Sequence, residues 1–324
     1  MSVLYVVEQG AVLRKTGKRI IVEKDGSQLA EVEVNRLEAV LIYGNIQFTT
    51  QVARLLLENG IEMALLSESG KLYGQLTPPM GKNVHLRQNQ YLMLADGQIL
   101  LNQAKLLVKT KIENSREVLK QFSYNNRQLV LSAETAELSR FYGLVDAAGS
   151  LSELNGIEGS AARVYFGGFG KSLKTTSGFA GRTKRPPRDP VNALLSFGYV
   201  LLNSIIQSSL DGCGFDPYLG IYHKIYYGRP SLALDLLEIF RAPVVDRFVN
   251  RVFNLGIFKN EDFQMTVQEG CRLNNQALKK FFINWEKYLT RIEFRDSLEK
   301  QINSLRYYFM NRTAFPEYYL FKAG

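Results

Sequence analysis

Short runs of alternating or continuous apolar residues fill the first eighty positions: VLYVV, AVLRK, RIIVEK, SQLAEVEV and EAVLIYG. A period of two is the pattern of strands with one buried face. Asp25-Gly26, between two of these runs, is the dipeptide that two-residue hairpin turns favour. The period then changes in TTQVARLLLENG, which predicts one short helix with Thr49 or Thr50 as N-cap and Gly60 as its stop. IEMALLS and LYGQL return to strand character across Glu68-Ser69-Gly70. The pattern predicts a small sheet, or two packed sheets, with one helix.

After Pro78-Pro79 long helical periodicity takes over, from VHLRQNQYLML to about Asn126, with a break expected at Asp96-Gly97. Further helices are expected at about 134–148, 150–166, 190–210, 231–241, 244–255, 275–293 and 297–311, with NEDFQMTVQEG as a small hairpin. The expected fold class is α+β: a small N-terminal β-rich domain over 1–80, a linker over 81–90, and a larger all-α domain over 91–324 that holds the metal site discussed below.

Composition narrows the function classes. With 46% hydrophobic and 22% charged residues the chain resembles an ordinary globular protein. Lys and Arg outnumber Asp and Glu by 40 to 31, which suggests a polyanionic partner. The two cysteines, Cys213 and Cys271, have no CxxC spacing, which argues against a zinc cluster. No continuous apolar run of about 18 residues is evident, and the N-terminus lacks the order of a signal peptide. The expectation is a cytoplasmic protein without membrane contact.

The stretch Asp211–Asp246 concentrates the candidate chemistry. It holds His223, and in SLALDLLEIF it holds Asp235 and Glu238, three residues apart among apolar neighbours. A helix apolar nearly all round is a buried one, and a spacing of three puts both acids on one side. Buried carboxylates cost several kcal/mol unless a cation, a metal or dense hydrogen bonding meets them. Glu158 lies on the stripe Leu151, Leu154, Ala161 or Ala162, Tyr165 of an upstream helix. Each acid taken singly is explained by a salt bridge, Glu158 to Arg163 or another arginine, the other two to Arg229 or Arg241. Taken together, glutamate, one imidazole and one or two further carboxylates make an oxygen-rich donor set that suits Mg²⁺ or Mn²⁺ better than zinc. His223 could ligate or shuttle a proton. His85 reads as structural or surface.

Between Glu158 and His223 runs a Gly-, Ser- and Pro-rich segment with Lys171, Lys174, Arg182, Lys184, Arg185 and Arg188 and no acid from 171 to 188. It leads into a helix opening at Asp189-Pro190 and suits a phosphate backbone. A second basic run, Lys105, Lys109, Lys111, Arg116, Lys120 and Arg127, is diluted by Glu113 and Glu117 and reads as helix surface. In LKKFFINWEKYLTRIEF the expected buried stripe is Phe281, Trp285 and Leu289.

The blocks LNGIEGSAARVYF, RPPRDPVNALLSFGYVLL, GFDPYLGIYH and GRPSLALDLLEIFRAPVVD occur in an order and spacing that resembles the CRISPR-associated integrase family, the Cas-one subunit that inserts spacers into the repeat array. The resemblance covers essentially the whole chain. It implies a metal held by Glu158, His223 and Glu238, with Asp235 as an additional acid beside the ligands. It further implies a homodimer built through the β-rich domains, a complex with the small Cas-two subunit, and double-stranded DNA as substrate. The implied reaction is transesterification joining the 3′-hydroxyl ends of a short duplex into the array. Hydrolysis of branched or single-stranded DNA by the same residues is the alternative activity, and a non-catalytic nucleic-acid scaffold with salt-bridged acids is the alternative outside enzymes.

Overall fold

The computed structural model describes residues 2–67, 72–77, 83–174, 178–183, 186–266, 270–312 and 315–323. The chain divides into two units, Met1–Met80 with Leu273–Lys287, and Gly81–Arg272 with Tyr288–Gly324.

The first unit contains two sheets. In one, β1 (Ser2–Val6) pairs in parallel with β5 (Leu37–Tyr43), β5 in parallel with β7 (Glu62–Leu66), and β7 antiparallel with β8 (Leu72–Leu76). A central parallel strand is covered on both faces, which explains the unbroken apolar run ending β5. The other sheet has the order β4 (Ser27–Glu33), β3 (Arg19–Lys24), β2 (Val12–Thr16) and β6 (Gln47–Phe48). Asp25 at φ 49° and Gly26 at φ 74° make the expected hairpin between β3 and β4. Helix α1 (Thr50–Glu58) is capped by Thr49, whose side chain accepts the Val52 N–H, and Gly60 at φ 72° follows it. Leu13, Ile20, Val40, Val52 and Leu56 form the centre of the core. The turn expected at Glu68-Ser69-Gly70 lies outside the described residues. Residues 273–287 were expected within the helical domain, yet they group with this unit. There Phe282 stacks on Tyr5 at 4.2 Å and Glu286 accepts the Tyr5 hydroxyl at 2.5 Å.

The second unit is helical, with a small hairpin of β9 (Phe263–Thr266) and β10 (Gly270–Leu273) close to the predicted position. The expected linker over 81–90 is a helix from Val84 onward: α2 (Val84–Leu94). The break at 96–97 is a cap, since Asp96 accepts the N–H groups of Gln98 and Ile99 at 2.8 and 3.0 Å and opens α3 (Gly97–Asn125). Helix α4 (Ser132–Leu144) and α5 (Leu151–Ser172) pack on α3. Helix α6 (Pro190–Cys213) starts as predicted, with Asp189 accepting the Asn192 N–H at 2.8 Å and Pro190 in the first turn. Helix α6 is long and apolar enough to cross a membrane, but 61% of its most apolar window is buried inside the protein, which accounts for its composition.

The predicted helices at 231–241 and 244–255 form one continuous rod. Helix α7 (Ser231–Phe240) passes through a wide π-type turn (Arg241–Asp246) into α8 (Arg247–Asn254). Pro243 lies inside that turn, where a missing N–H and a bulky ring would break an ordinary α-helical ladder. Helix α9 (Asn275–Arg291), most of which belongs to the first unit, is followed by α10 (Phe294–Asn311), the last helix among the described residues. Phe281, Trp285 and Leu289 are buried, as their spacing predicts.

Candidate metal centre and nucleic-acid interface

Four elements of the second unit meet at the acids. Glu158 comes from α5, Glu238 from α7, and His223 from the connection between α6 and α7. The fourth, α3, contributes Lys111, whose ammonium contacts both Glu158 Oε1 and Glu238 Oε2. Arg241, one turn beyond Glu238, holds its other oxygen at 2.8 Å. The Glu158 partner is therefore Lys111 and not Arg163, while Glu238 does pair with Arg241. Burial alone would raise the Glu238 pKa, but Arg241 and Lys111 outweigh it and bring the group down to about 2. Burial likewise disfavours the Lys111 ammonium, and Glu238 and Glu158 override it, so that its pKa rises.

Asp235 is handled differently. It is fully buried, and among the described residues no arginine pairs with it. Its Oδ2 accepts the N–H groups of Ile221 and Tyr222 at 2.5 and 3.0 Å, and its Oδ1 accepts the His223 N–H at 2.9 Å. The same Oδ1 lies 2.7 Å from His223 Nδ1. A carboxylate on Nδ1 fixes the imidazole plane and leaves Nε2 as the nitrogen free to ligate or to take a proton. Gly220 makes the close approach of the loop to α7 possible. A Cβ there would stand 2.6 Å from Ser231 Cβ and 2.7 Å from the His223 carbonyl. Helix α2 holds the other end of this loop: Gln90 donates to the Asp216 and Leu219 carbonyls and accepts the Asp216 N–H at 3.0 Å. The residues expected to be linker thus support the histidine.

The structure brings Glu158 and Glu238 together around one cationic atom and joins His223 to Asp235. Among the described residues no three His, Cys, Asp or Glu side chains stand in ready ligating geometry. The donor set nevertheless fits a hard divalent ion. Two carboxylates from different helices already converge on a positive charge, and among the described residues the buried Glu238 Oε2 has no aligned hydrogen-bond donor beside its ion pair with Lys111. The phenol of Tyr222 closes the site, donating to Asn155 Oδ1 at 2.6 Å, its pKa pushed up by burial and by Glu158, Glu238 and Asp235.

The comparison with known proteins decides the family. A family profile described as "CRISPR associated protein Cas1" matches residues 4–287. The chain belongs to the Cas1 family. A relative named "CRISPR-associated endonuclease Cas1 1" from Thermodesulfovibrio yellowstonii is 34% identical over 89% of this chain and 92% of its own length. A CAS1 protein from Thermotoga maritima superposes with a TM-score of 0.86 at 24% identity, covering 98% of this chain and 99% of that one. A chain of a "Cas6-RT-Cas1--Cas2 complex" matches 98% of this chain over 36% of its own, with a TM-score of 0.82 and 27% identity.

The basic segment of this Cas1 chain is less uniform than its sequence suggests. Lys171 is the last turn of α5 and pairs with Glu134 at 2.5 Å, an acid from another helix. Arg182 turns toward the protein: its guanidinium donates to Asn192 Oδ1 at 2.9 Å and Ser196 Oγ at 3.0 Å, and it lies over the Tyr199 ring. Lys174 and Arg188 are exposed, and Lys184 and Arg185 lie outside the described residues. Arg188 lines a cleft of about 530 Å³ with Gly178, Asp189 and Phe263, a cleft that none of the site acids lines.

Sequence reasoning missed Lys111, reading it as helix surface. It sits four residues after Leu107 and four before Ser115, both buried, so a charge on the inward stripe of α3 was the available signal. It also passed over Asp246, a buried acid on the same rod whose carboxylate accepts the hydroxyls of Tyr165 at 2.9 Å and Tyr199 at 2.5 Å. Asn114, buried on α3, donates to the carbonyls of Ile239 and Tyr319 at 2.8 and 3.0 Å and so fixes α7 beside α3.

Proposed function

We propose that this protein is a metal-dependent DNA endonuclease and integrase of CRISPR adaptation, joining the 3′-hydroxyl ends of a short duplex into a repeat array. The observation that carries this reading is the convergence of Glu158 and Glu238 on one cation position, beside a histidine whose ring is oriented by Asp235. Glu158, Glu238 and His223 Nε2 would hold Mg²⁺ or Mn²⁺, which supplies Lewis-acid polarisation of a phosphodiester oxygen and acidifies an attacking hydroxyl. Arg241 fixes the Glu238 carboxylate by its Oε1, leaving Oε2 to face the cation position. Asp235 orients the imidazole through Nδ1, so that His223 has Nε2 as its other ring nitrogen for the ion. Lys111 is the charge that keeps the two glutamates together at the position the ion would take.

Lys174 and Arg188, with Lys184 and Arg185, are the side chains we assign to the DNA backbone, and Lys171 contributes when Glu134 releases it. A homodimer through the β-rich unit, association with a Cas2 subunit, and a cytoplasmic setting beside the chromosome complete the proposal. Support comes from the relative named as an endonuclease and from the similar chain in a complex with Cas2. The test is strand joining of a 3′-hydroxyl duplex into a plasmid carrying the repeat. Glu158→Ala and His223→Ala are expected to reduce joining by about 10²–10⁴-fold, and undiminished joining refutes the assignment. A dideoxy end abolishes joining and leaves hydrolysis by water intact.

A further inference from the structure

Directly after His223 the chain reads Lys224-Ile225-Tyr226-Tyr227-Gly228-Arg229. Ile225 is 71%, Tyr226 72% and Tyr227 100% exposed. Burying one such side chain is worth about 1.5–3 kcal/mol, so three left in water side by side need a reason. The turn that presents them is built and closed. The Lys224 carbonyl accepts Arg229 Nη2 at 2.5 Å and Ser231 Oγ at 3.1 Å, and the Tyr226 carbonyl accepts the Arg229 N–H at 3.0 Å. Gly228 takes the left-handed conformation, φ 71°, that the turn requires. The aromatic pair is thus held outward by a hydrogen-bonded base anchored at α7.

We propose that Tyr226 and Tyr227 form a stacking platform for unpaired nucleobases of the strand whose end enters the site, with the exposed Lys224 on its phosphate. This inference rests on the reading of the site proposed above. Aromatic faces stack on any base for about 1–3 kcal/mol per base, whereas paired bases hide their faces in the duplex. Position favours this occupant, because Tyr226 lies three residues after His223 on the same connection. Charge favours it too, since a chain of net +9 attracts a polynucleotide.

The experiment uses the full chain in chelator, so that binding is read without reaction. Duplexes with a single-stranded 3′ tail carry 2-aminopurine at the tail bases, and stacking quenches its fluorescence. Native protein and Tyr226→Phe/Tyr227→Phe are expected to quench. Tyr226→Ser/Tyr227→Ser is expected to lose the quench and to bind the tailed duplex about 5- to 100-fold more weakly, with blunt-duplex affinity unchanged. Three results overturn the proposal: an undiminished quench in the serine variant, an equal loss on blunt duplex, or altered self-association by light scattering with DNA binding intact. Because binding is measured without joining, an undiminished quench leaves the site assignment standing. Likewise, joining that survives Glu158→Ala refutes the site assignment without altering this measurement.

Discussion

The two ends of the π-type turn between α7 and α8 each bury a carboxylate, Glu238 just before it and Asp246 as its last residue, and they answer it in opposite ways. Glu238 meets two cations, Lys111 and Arg241, and its pKa falls to about 2 despite burial. Asp246, 1% exposed, meets two phenol hydroxyls. Burial pushes it up to about 6, and the tyrosines, Arg241 and Arg182 only partly offset that. Neutral donors satisfy a carboxylate without repaying its desolvation; full charges do both. The end with cations therefore keeps an ionised acid in place for exchange with another cation. The other end is a structural joint, where Tyr165 of α5 and Tyr199 of α6 are tied to the rod.

The largest expected effect comes from breaking the cationic answer. Lys111→Met leaves Glu158 and Glu238 facing each other with one cation fewer, and is expected to cost about 3–5 kcal/mol in urea unfolding in the presence of chelator. Adding Mn²⁺ is expected to restore much of that loss if the ion takes the place of the ammonium. A variant as stable as the native protein in chelator shows that the pair is not what holds the acids.

The neutral answer predicts a pH dependence of definite sign. The Asp246 pKa of about 6 lies above its ordinary 3.8, so the folded state binds its proton more tightly than the unfolded chain. This group's contribution is full below about pH 4 and is lost as pH rises through about 6, a change of ~3 kcal/mol. Asp246→Asn is expected to lack that contribution, so the native-minus-variant stability difference falls from pH 4 to pH 7. A difference that rises with pH contradicts the contrast between the two ends.

The smallest effect concerns Asp235, which is met by three backbone N–H groups and His223. Asp235→Asn keeps the shape and loses the Nδ1 partner of the ring. The expectation is a ~10–100-fold drop in Mn²⁺ affinity by calorimetry. Unchanged affinity assigns Asp235 to the loop backbone alone.

Much of this architecture was legible from local rules. Asp25-Gly26, Thr49, Asp96 and Asp189-Pro190 each set an element boundary through chemistry confined to a few residues. The apolar surround of Asp235 and Glu238 announced buried acids before any contact was visible. What the chain did not announce was which partner each acid takes. Lys111 looked like one of several surface lysines because its neighbours Lys109 and Glu113 are ordinary helix charges, and only the packing of α3 against α5 and α7 turns it inward. The segment 171–188 looked uniformly cationic, yet Arg182 folds onto Asn192 and Ser196 while Lys171 finds Glu134, 37 residues upstream in another helix.

The sequence by itself determined the helices and strands, the two-part α+β plan and the presence of acids that burial had to reconcile, because period and capping act within a turn or two. Only the tertiary structure decided that Glu238 is answered by charge, Asp235 by backbone and Asp246 by phenols. The electrostatic state of a buried group depends on atoms brought within a few ångströms from distant parts of the chain.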